Sequence, residues 1–414
     1  MKVLILSHFP LEGSGSSVYT RDLASFLVKN GHEVMVVCTG HNDVNINEFN
    51  FSVSVIKFKK EFRNEGISEL SFDKEIISPE FDLDFDFPTF TVHAYSKNTF
   101  SNLVDYEIED YINVYQERVD KIIKEFSPDI IHAQHIWLAS YIASNTGIPY
   151  VITSHGAEFV SFDQDSRYHS YLKKAVSSAS KIIAISSDLK NKILSKFDIH
   201  EAKVEIIPKA FDSEVFYINE NLSKKEILNQ YNIDYNNEKI VFCANKLTKS
   251  KGIDLLLSAS ALYNKKFDNI ITLIAGSGDI DYYDELIRLK EELFLNNLYF
   301  LSYRDHSKIA ELNNIADVFV SPARVEPFGL SALEALACGT PVITSSEGGF
   351  PDFVNREVGL MCPVENYSSI SGSVIRTISS SFKEKNKKHI SNYASSFSWN
   401  RVVSKIIEIY KLIL

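Results

Sequence analysis

Short apolar runs punctuate the chain, and their spacing sets its architecture. Residues 2–7 (KVLILS) are continuously apolar between polar flanks, as expected of a parallel strand covered on both faces. A polar loop follows, then a helical pattern through Leu27 and a second strand from Glu33 to Cys38. After a helical stretch over Tyr106–Phe126, further strands are expected at Asp129–His132, with His132, Gln134 and His135 at its end near the crevice, from Val151 to the His155–Gly156 pair, at Lys181–Ser186 and at Val204–Pro208. Residues 210–237 are polar and rich in Asn and Asp, with one short helical segment. The strand rhythm then restarts at Lys239 (KIVFCANKL) and returns at Ile270–Ala275, Leu298–Ser302, Val318–Val320 and Pro341–Thr344. Helical patterns cover His306–Ile315, Ala332–Cys338 and Arg401–Leu414, the last with Trp399, Val403, Ile406, Ile407 and Tyr410 as an apolar face. Strand–helix alternation begun twice predicts an α/β chain of two similar doubly wound halves. Residues 41–110 are the least regular part and show no sustained period.

Composition narrows the picture. A chain of 414 residues is too long for one ordinary core, so two domains are expected. Hydrophobic residues make up 45% and charged residues 23%, which fits a soluble globular protein. The net charge of −11 argues against sequence-independent nucleic-acid binding and requires a local cationic pocket for any phosphate ligand. Cys38, Cys243, Cys338 and Cys362 are widely spaced with no C-x-x-C pair, so neither a zinc site nor a disulfide framework is expected. No apolar run reaches membrane-spanning length, and the opening residues read as a strand rather than a signal peptide. The expected location is the cytoplasm; peripheral contact with the inner face of the membrane stays open.

The richest stretch runs from Phe319 to Val354. An apolar strand leads into Glu326-Pro327-Phe328-Gly329-Leu330-Ser331, a helical run stops at Gly339, and a second strand ends before Gly348-Gly349. Such a βαβ unit places ligands at the carboxyl ends of its strands. Ser331 is the expected N-cap, which would leave the amides of Phe328, Gly329 and Leu330 as donors for a ligand. Glu334 stands among Leu330, Leu333, Ala335, Leu336 and Ala337, so it lies on a mostly buried helix and needs a partner. Glu326, Pro327, Phe328, Gly329, Leu330, Glu334, Ala335, Gly339, Pro341, Val342 and Gly349 together resemble the E-x7-E segment of retaining GT-B glycosyltransferases of family 4 (group 1).

Other stretches extend that resemblance. The first loop, HFPLEGSGSSVYT, has G-x-G but lacks the third glycine of a dinucleotide fingerprint, Val18 standing there. The resemblance makes Gly15 the point of close approach to donor phosphates. His155 matches the family's histidine beside the donor sugar, with Glu158 a looser match nearby. In the second half, the family's Gly-Arg-Leu and Lys-Gly correspond to Asn245-Lys246-Leu247 and Lys251-Gly252. Lysine keeps the charge but loses the bidentate fork of arginine. Gly276 and Gly278 match a glycine pair near the nucleotide, and Tyr303-Arg304 fall where the family packs against the base. Asp82, Asp84 and Asp86 form a D-x-D pattern that could hold a metal–diphosphate, but it lies in an acidic insertion far from the phosphate-binding elements.

The resemblance implies the GT-B fold: two Rossmann-like domains facing across a cleft, with a C-terminal helix crossing back to the N-terminal domain. The expected acceptor domain is 1–209 plus 396–414, and the expected donor domain is 210–395. The implied activity is retaining transfer of a hexose-type sugar from a nucleotide-sugar donor, expected to be UDP-linked, to an acceptor hydroxyl. Lys246 and Lys251 would offset the diphosphate charge, Glu334 would take the ribose diol, and Glu326 would hold sugar hydroxyls with the amides of Phe328 to Leu330. His155 would contact the sugar. No metal and no further cofactor is expected. The acceptor stays open among saccharides, lipid-linked groups and small molecules, and Phe85, Phe87, Phe90 and Tyr95 are candidates to stack on it or to pack. A covalent nucleophile role for Glu326 is the mechanistic rival. An epimerase, a phosphorylase or a non-catalytic sugar-nucleotide-binding subunit are the functional ones.

Overall fold

The computed structural model describes residues 1–41, 48–59, 81–91 and 96–414. Two compact units emerge: residues 1–185, 189–207 and 403–414 form the first, and residues 186–188 with 208–402 form the second.

The first unit is built on a seven-stranded parallel sheet. Its strands are β1 (Lys2–Leu6), β2 (Glu33–Gly40), β3 (Ser52–Lys57), β4 (Ile130–Gln134), β5 (Tyr150–Ser154), β6 (Lys181–Ala184) and β7 (Val204–Ile206). They lie in the order β3-β2-β1-β4-β5-β6-β7. Val3, Leu4, Ile5 and Leu6 are wholly buried, as the apolar run requires of a strand covered on both faces. β3 is an element that the sequence pattern did not give. Ser52 and Ser54 interrupt its apolar residues, so SVSVIK does not read as a continuous run; among the described residues it lies at the sheet edge and pairs with β2.

The second unit carries a six-stranded parallel sheet of β8 (Lys239–Ala244), β9 (Ile270–Ala275), β10 (Leu298–Phe300), β11 (Val318–Ser321), β12 (Val342–Ser345) and β13 (Gly359–Cys362). Its order, β10-β9-β8-β11-β12-β13, reverses direction between β8 and β11, as the first sheet does between β1 and β4. In open parallel sheets that reversal opens a crevice at the carboxyl ends of the two central strands. The loops leaving β1, β4, β8 and β11 are therefore the positions to examine for chemistry.

The last helix, Trp399–Ile413, begins in the second unit, and its residues from Val403 on belong to the first. Val403, Ile406 and Tyr410 are fully buried, and the Tyr410 hydroxyl lies 2.5 Å from His132 Nδ1. His132 is thus a mid-strand residue and not a strand-end one. Its other nitrogen meets Thr153 Oγ1 at 2.6 Å, and burial pushes its pKa down to about 3, so the ring is neutral.

Candidate active site

In the second unit, the sheet reversal brings two sequence-distant loops together. The loop after β8 carries Lys246 and Lys251, and the loop after β11 carries Glu326. Lys251 Nζ lies 2.8 Å from Glu326 Oε2, with the two side chains only 19% and 12% exposed. Burial raises the Glu326 pKa, but the adjacent Lys251 ammonium and the Phe328 amide outweigh it and hold the carboxyl below its ordinary value. Lys246 is exposed as a residue, yet its ammonium end is crowded; that desolvation and the nearby Lys251 cation lower its pKa.

The helix that follows is Leu330–Ala337, and its N-cap is Gly329 in the left-handed region (φ 101°), not Ser331. The Phe350 ring packs where a Gly329 side chain would project, so the turn is made by a residue with no capping group. Two expectations change with it. The Phe328 amide is not a spare donor, because it bonds to Glu326 Oε1 at 3.3 Å. Leu330 and Ser331 instead supply the first-turn amides that lack an intrahelical acceptor, while Ala332 and Leu333 bond back to the Gly329 carbonyl. The Phe328 ring is buried against Phe353, with centroids 5.2 Å apart. Glu334 is buried at 7% exposure, one turn into this helix.

Gly276 and Gly278 serve a close approach of loops. A methyl group on Gly276 would fall 1.9 Å from the Asn245 carbonyl, and one on Gly278 would fall 2.3 Å from the Leu247 carbonyl, so both glycines seat the β9 loop against the segment bearing Lys246. Arg304 lies apart from the lysine–glutamate pair in its bonding: its guanidinium stacks 5.2 Å over the Tyr231 ring and bonds to the Tyr303 carbonyl.

In the first unit, polar side chains gather at the ends of β1, β4 and β5. His155 Nε2 is 2.9 Å from Gln134 Oε1, and its ring stands 4.6 Å from His135 and 5.0 Å from Tyr19. Glu158 organises the group: it accepts from the Ser154 hydroxyl at 2.5 Å, the His155 amide at 3.2 Å and His135 Nδ1 at 3.1 Å. Its carboxylate is buried, which raises its pKa, but the bonds and charge from His135 and the Ser154 bond bring it below the ordinary value. His135 adopts left-handed backbone (φ 70°), a conformation found where surrounding structure over-determines it. His8, buried and bonded to Tyr111 and the Ala139 amide, completes the cluster; burial and the neighbouring His135 lower its pKa. Gly15 is exposed and is the first residue of the helix Gly15–Lys29, whose N-cap is Ser14.

Gln134 and His135 stand at the end of β4, where their position after the strand pointed. Sequence reasoning missed His8 and the arginine two residues before Glu326; the signal for His8 was its place directly after β1. Phe85, Phe87 and Phe90 are buried and pack against neighbouring rings, and Tyr95 lies outside the described residues. The three insertion aspartates each bond within the protein: Asp82 to Arg118 and the Lys57 amide, Asp84 to Lys59, and Asp86 to His41.

Two parallel sheets of doubly wound order, each with polar side chains at its reversal point, define a GT-B glycosyltransferase fold. Sucrose-phosphate synthase from Thermosynechococcus elongatus shares it with a TM-score of 0.73 at 19% identity, covering 99% of this chain and 98% of that one. Anabaena Alr3699/HepE, solved in complex with UDP-glucose, gives 0.70 at 19% identity with full coverage of both chains. The family described as glycosyl transferases group 1 matches residues 223–397, and glycosyltransferase family 4 matches residues 13–215. The chain belongs to this group 1, family 4 glycosyltransferase family. An uncharacterised glycosyltransferase of Methanocaldococcus jannaschii is 27% identical over 415 aligned positions, 96% of this chain and 94% of that protein. Among the described residues, no helix is long and apolar enough to cross a membrane.

Proposed function

We propose that this glycosyltransferase moves a hexose-type sugar from a UDP-linked donor to an acceptor hydroxyl, with retention of anomeric configuration and without a metal ion. The observation that carries the reading is the Lys251–Glu326 pair at the reversal point of the second sheet, with Lys246 on the same loop. A departing nucleoside diphosphate carries about two to three negative charges, and fixed cations with first-turn amides are suited to stabilise them. UDP-glucose in the Anabaena neighbour supports the choice of base. In this reading Lys246 and Lys251 hold the diphosphate, with Glu326 orienting Lys251 and accepting from sugar hydroxyls. Leu330 and Ser331 donate their amides, and Glu334 takes the ribose diol. His155, held by Gln134 and the Glu158 turn, contacts sugar hydroxyls. Gly276, Gly278 and Arg304 belong to the nucleotide side, and Gly15 to the phosphate approach.

The transfer step balances without an enzymic nucleophile. The acceptor oxygen bonds to the anomeric carbon on the face from which the diphosphate departs. The bond from that carbon to the phosphate oxygen breaks, and the acceptor proton passes to the departing phosphate. The products are the glycoside and UDP. A panel of UDP, GDP and ADP sugars, screened by thermal shift and then for product with saccharide, lipid-linked and small-molecule acceptors, tests the assignment, because a ligand of the native state raises apparent stability. Stabilisation by GDP or ADP sugars alone would overturn the base, and an inverted product anomer would overturn retention.

A further inference from the structure

Arg324 is the most heavily bonded cation of the second unit, and no step above uses it. Its Nη1 and Nη2 form a bidentate pair with Asp254 at 2.8 and 2.7 Å. Glu365 receives Nε and, at 3.0 Å, Nη2. Nη1 also donates to the Lys249 carbonyl at 2.7 Å, while the Arg324 and Val325 amides donate to the Ser250 carbonyl at 2.8 and 3.1 Å. Every one of these acceptors except Glu365 lies on, or directly after, the tight turn Lys249–Lys251. Asp254 is in the first turn of the next helix, where Tyr282 also bonds to it at 2.7 Å. Between them, Gly252 takes left-handed backbone (φ 65°), and a methyl group there would fall 2.2 Å from the Pro322 carbonyl. The β8 and β11 loops therefore touch backbone to backbone, with one guanidinium stitching the seam.

We infer that Arg324 is a positioning residue: it locks the turn carrying Lys251 against the loop carrying Glu326 and so sets the lysine for a nucleoside diphosphate. The inference rests on the phosphate role proposed for Lys251. Arginine suits the task because a planar fork fixes direction, whereas a lysine in its place keeps the charge and leaves the turn free to rotate.

A double-mutant cycle over Arg324→Ala and Lys251→Met tests it, read by urea denaturation and by calorimetric UDP affinity, with Arg324→Lys as a third variant. For groups acting as one unit the losses are non-additive: Arg324→Ala weakens UDP binding about tenfold, and the double variant binds within about twofold of Lys251→Met alone. Arg324→Lys keeps the denaturation midpoint near wild type yet still binds UDP several-fold more weakly. In urea, the stability lost with Lys251→Met shrinks when Arg324 is already alanine. Multiplicative losses of UDP affinity, full rescue by lysine, or equal Lys251→Met effects in both backgrounds would overturn the inference. If the wild-type protein does not bind UDP, the proposed function falls, and the urea cycle alone still decides whether Arg324 sets the Lys251–Glu326 pair.

Discussion

Replacing Lys251 by methionine removes a cation from a mostly buried pair, and the structure gives the scale of the effect. At the observed 2.8 Å separation, Coulomb's law with an effective dielectric near 20 gives about 6 kcal/mol of gross attraction. Desolvating the two charges offsets much of that, and breaking such a pair costs about 3 kcal/mol once the partner is left without its counter-ion. The Glu326 carboxyl is held below its ordinary pKa, so its pairing contributes stability above the unfolded-state carboxylate pKa and loses it as pH falls through the depressed value. Without Lys251, burial dominates and raises that pKa, reversing the sign. The gap between wild type and Lys251→Met should be wide at pH 7 and close as pH drops toward about 4. UDP affinity should fall about 10- to 100-fold, the size of one or two charge-assisted bonds. The double variant Lys251→Met/Glu326→Gln recovers stability without recovering UDP binding. Denaturation midpoints from pH 4 to 8, together with calorimetric titration of UDP, supply both readouts. A Lys251→Met protein that binds UDP within about twofold of wild type would refute the reasoning, as would a stability gap that does not change with pH.

Further outcomes follow from other parts of the molecule. Transfer activity should survive excess EDTA; loss in chelator, restored by Mg²⁺ or Mn²⁺, would return the insertion aspartates to consideration. Glu158→Gln should destabilise the fold by about 2–4 kcal/mol at pH 7, because a buried acceptor of three bonds is weakened, and its penalty should shrink on acidification, since the native carboxylate is held below its ordinary pKa; denaturation against pH checks both. Tyr410→Phe should cost about 1–3 kcal/mol by leaving buried His132 Nδ1 without its hydroxyl partner, visible as a lower unfolding midpoint.

Strand positions were the most legible feature of the sequence, because wholly buried strands are uninterrupted apolar runs; β9 and the helix His306–Ile315 fall where the pattern put them. β3 was hidden because Ser52 and Ser54 interrupt its apolar residues, so SVSVIK never forms a continuous apolar run. β13 was hidden because GLMC is four residues long and only its first and last are buried. At the site, the glutamates and lysines stood out as charges inside apolar or glycine-shaped stretches. Their pairing could not be read off, since Lys251 and Glu326 are 75 positions apart and meet only because β8 and β11 are neighbours. The same adjacency explains why Arg324 passed unnoticed: its partners other than Glu365 lie on, or directly after, the other loop. The misplaced cap at Ser331 has a different cause. Serine is the usual capping residue, but the close Phe350 ring leaves room only for glycine at the true position.

The passage of the last helix between units has a consequence for biosynthesis. Residues 1–207 supply every strand of the first sheet, yet Val403, Ile406 and Tyr410, which help fill that unit's interior, are translated some two hundred residues later. The nascent first half leaves the ribosome with an unfilled groove and with His132 Nδ1 lacking its tyrosine partner, while the second half can complete its own sheet ahead of it. An expression fragment stopped near residue 207 should accordingly be a poor substitute for the intact unit, and supplying 399–414 as a separate peptide is the natural way to make it whole.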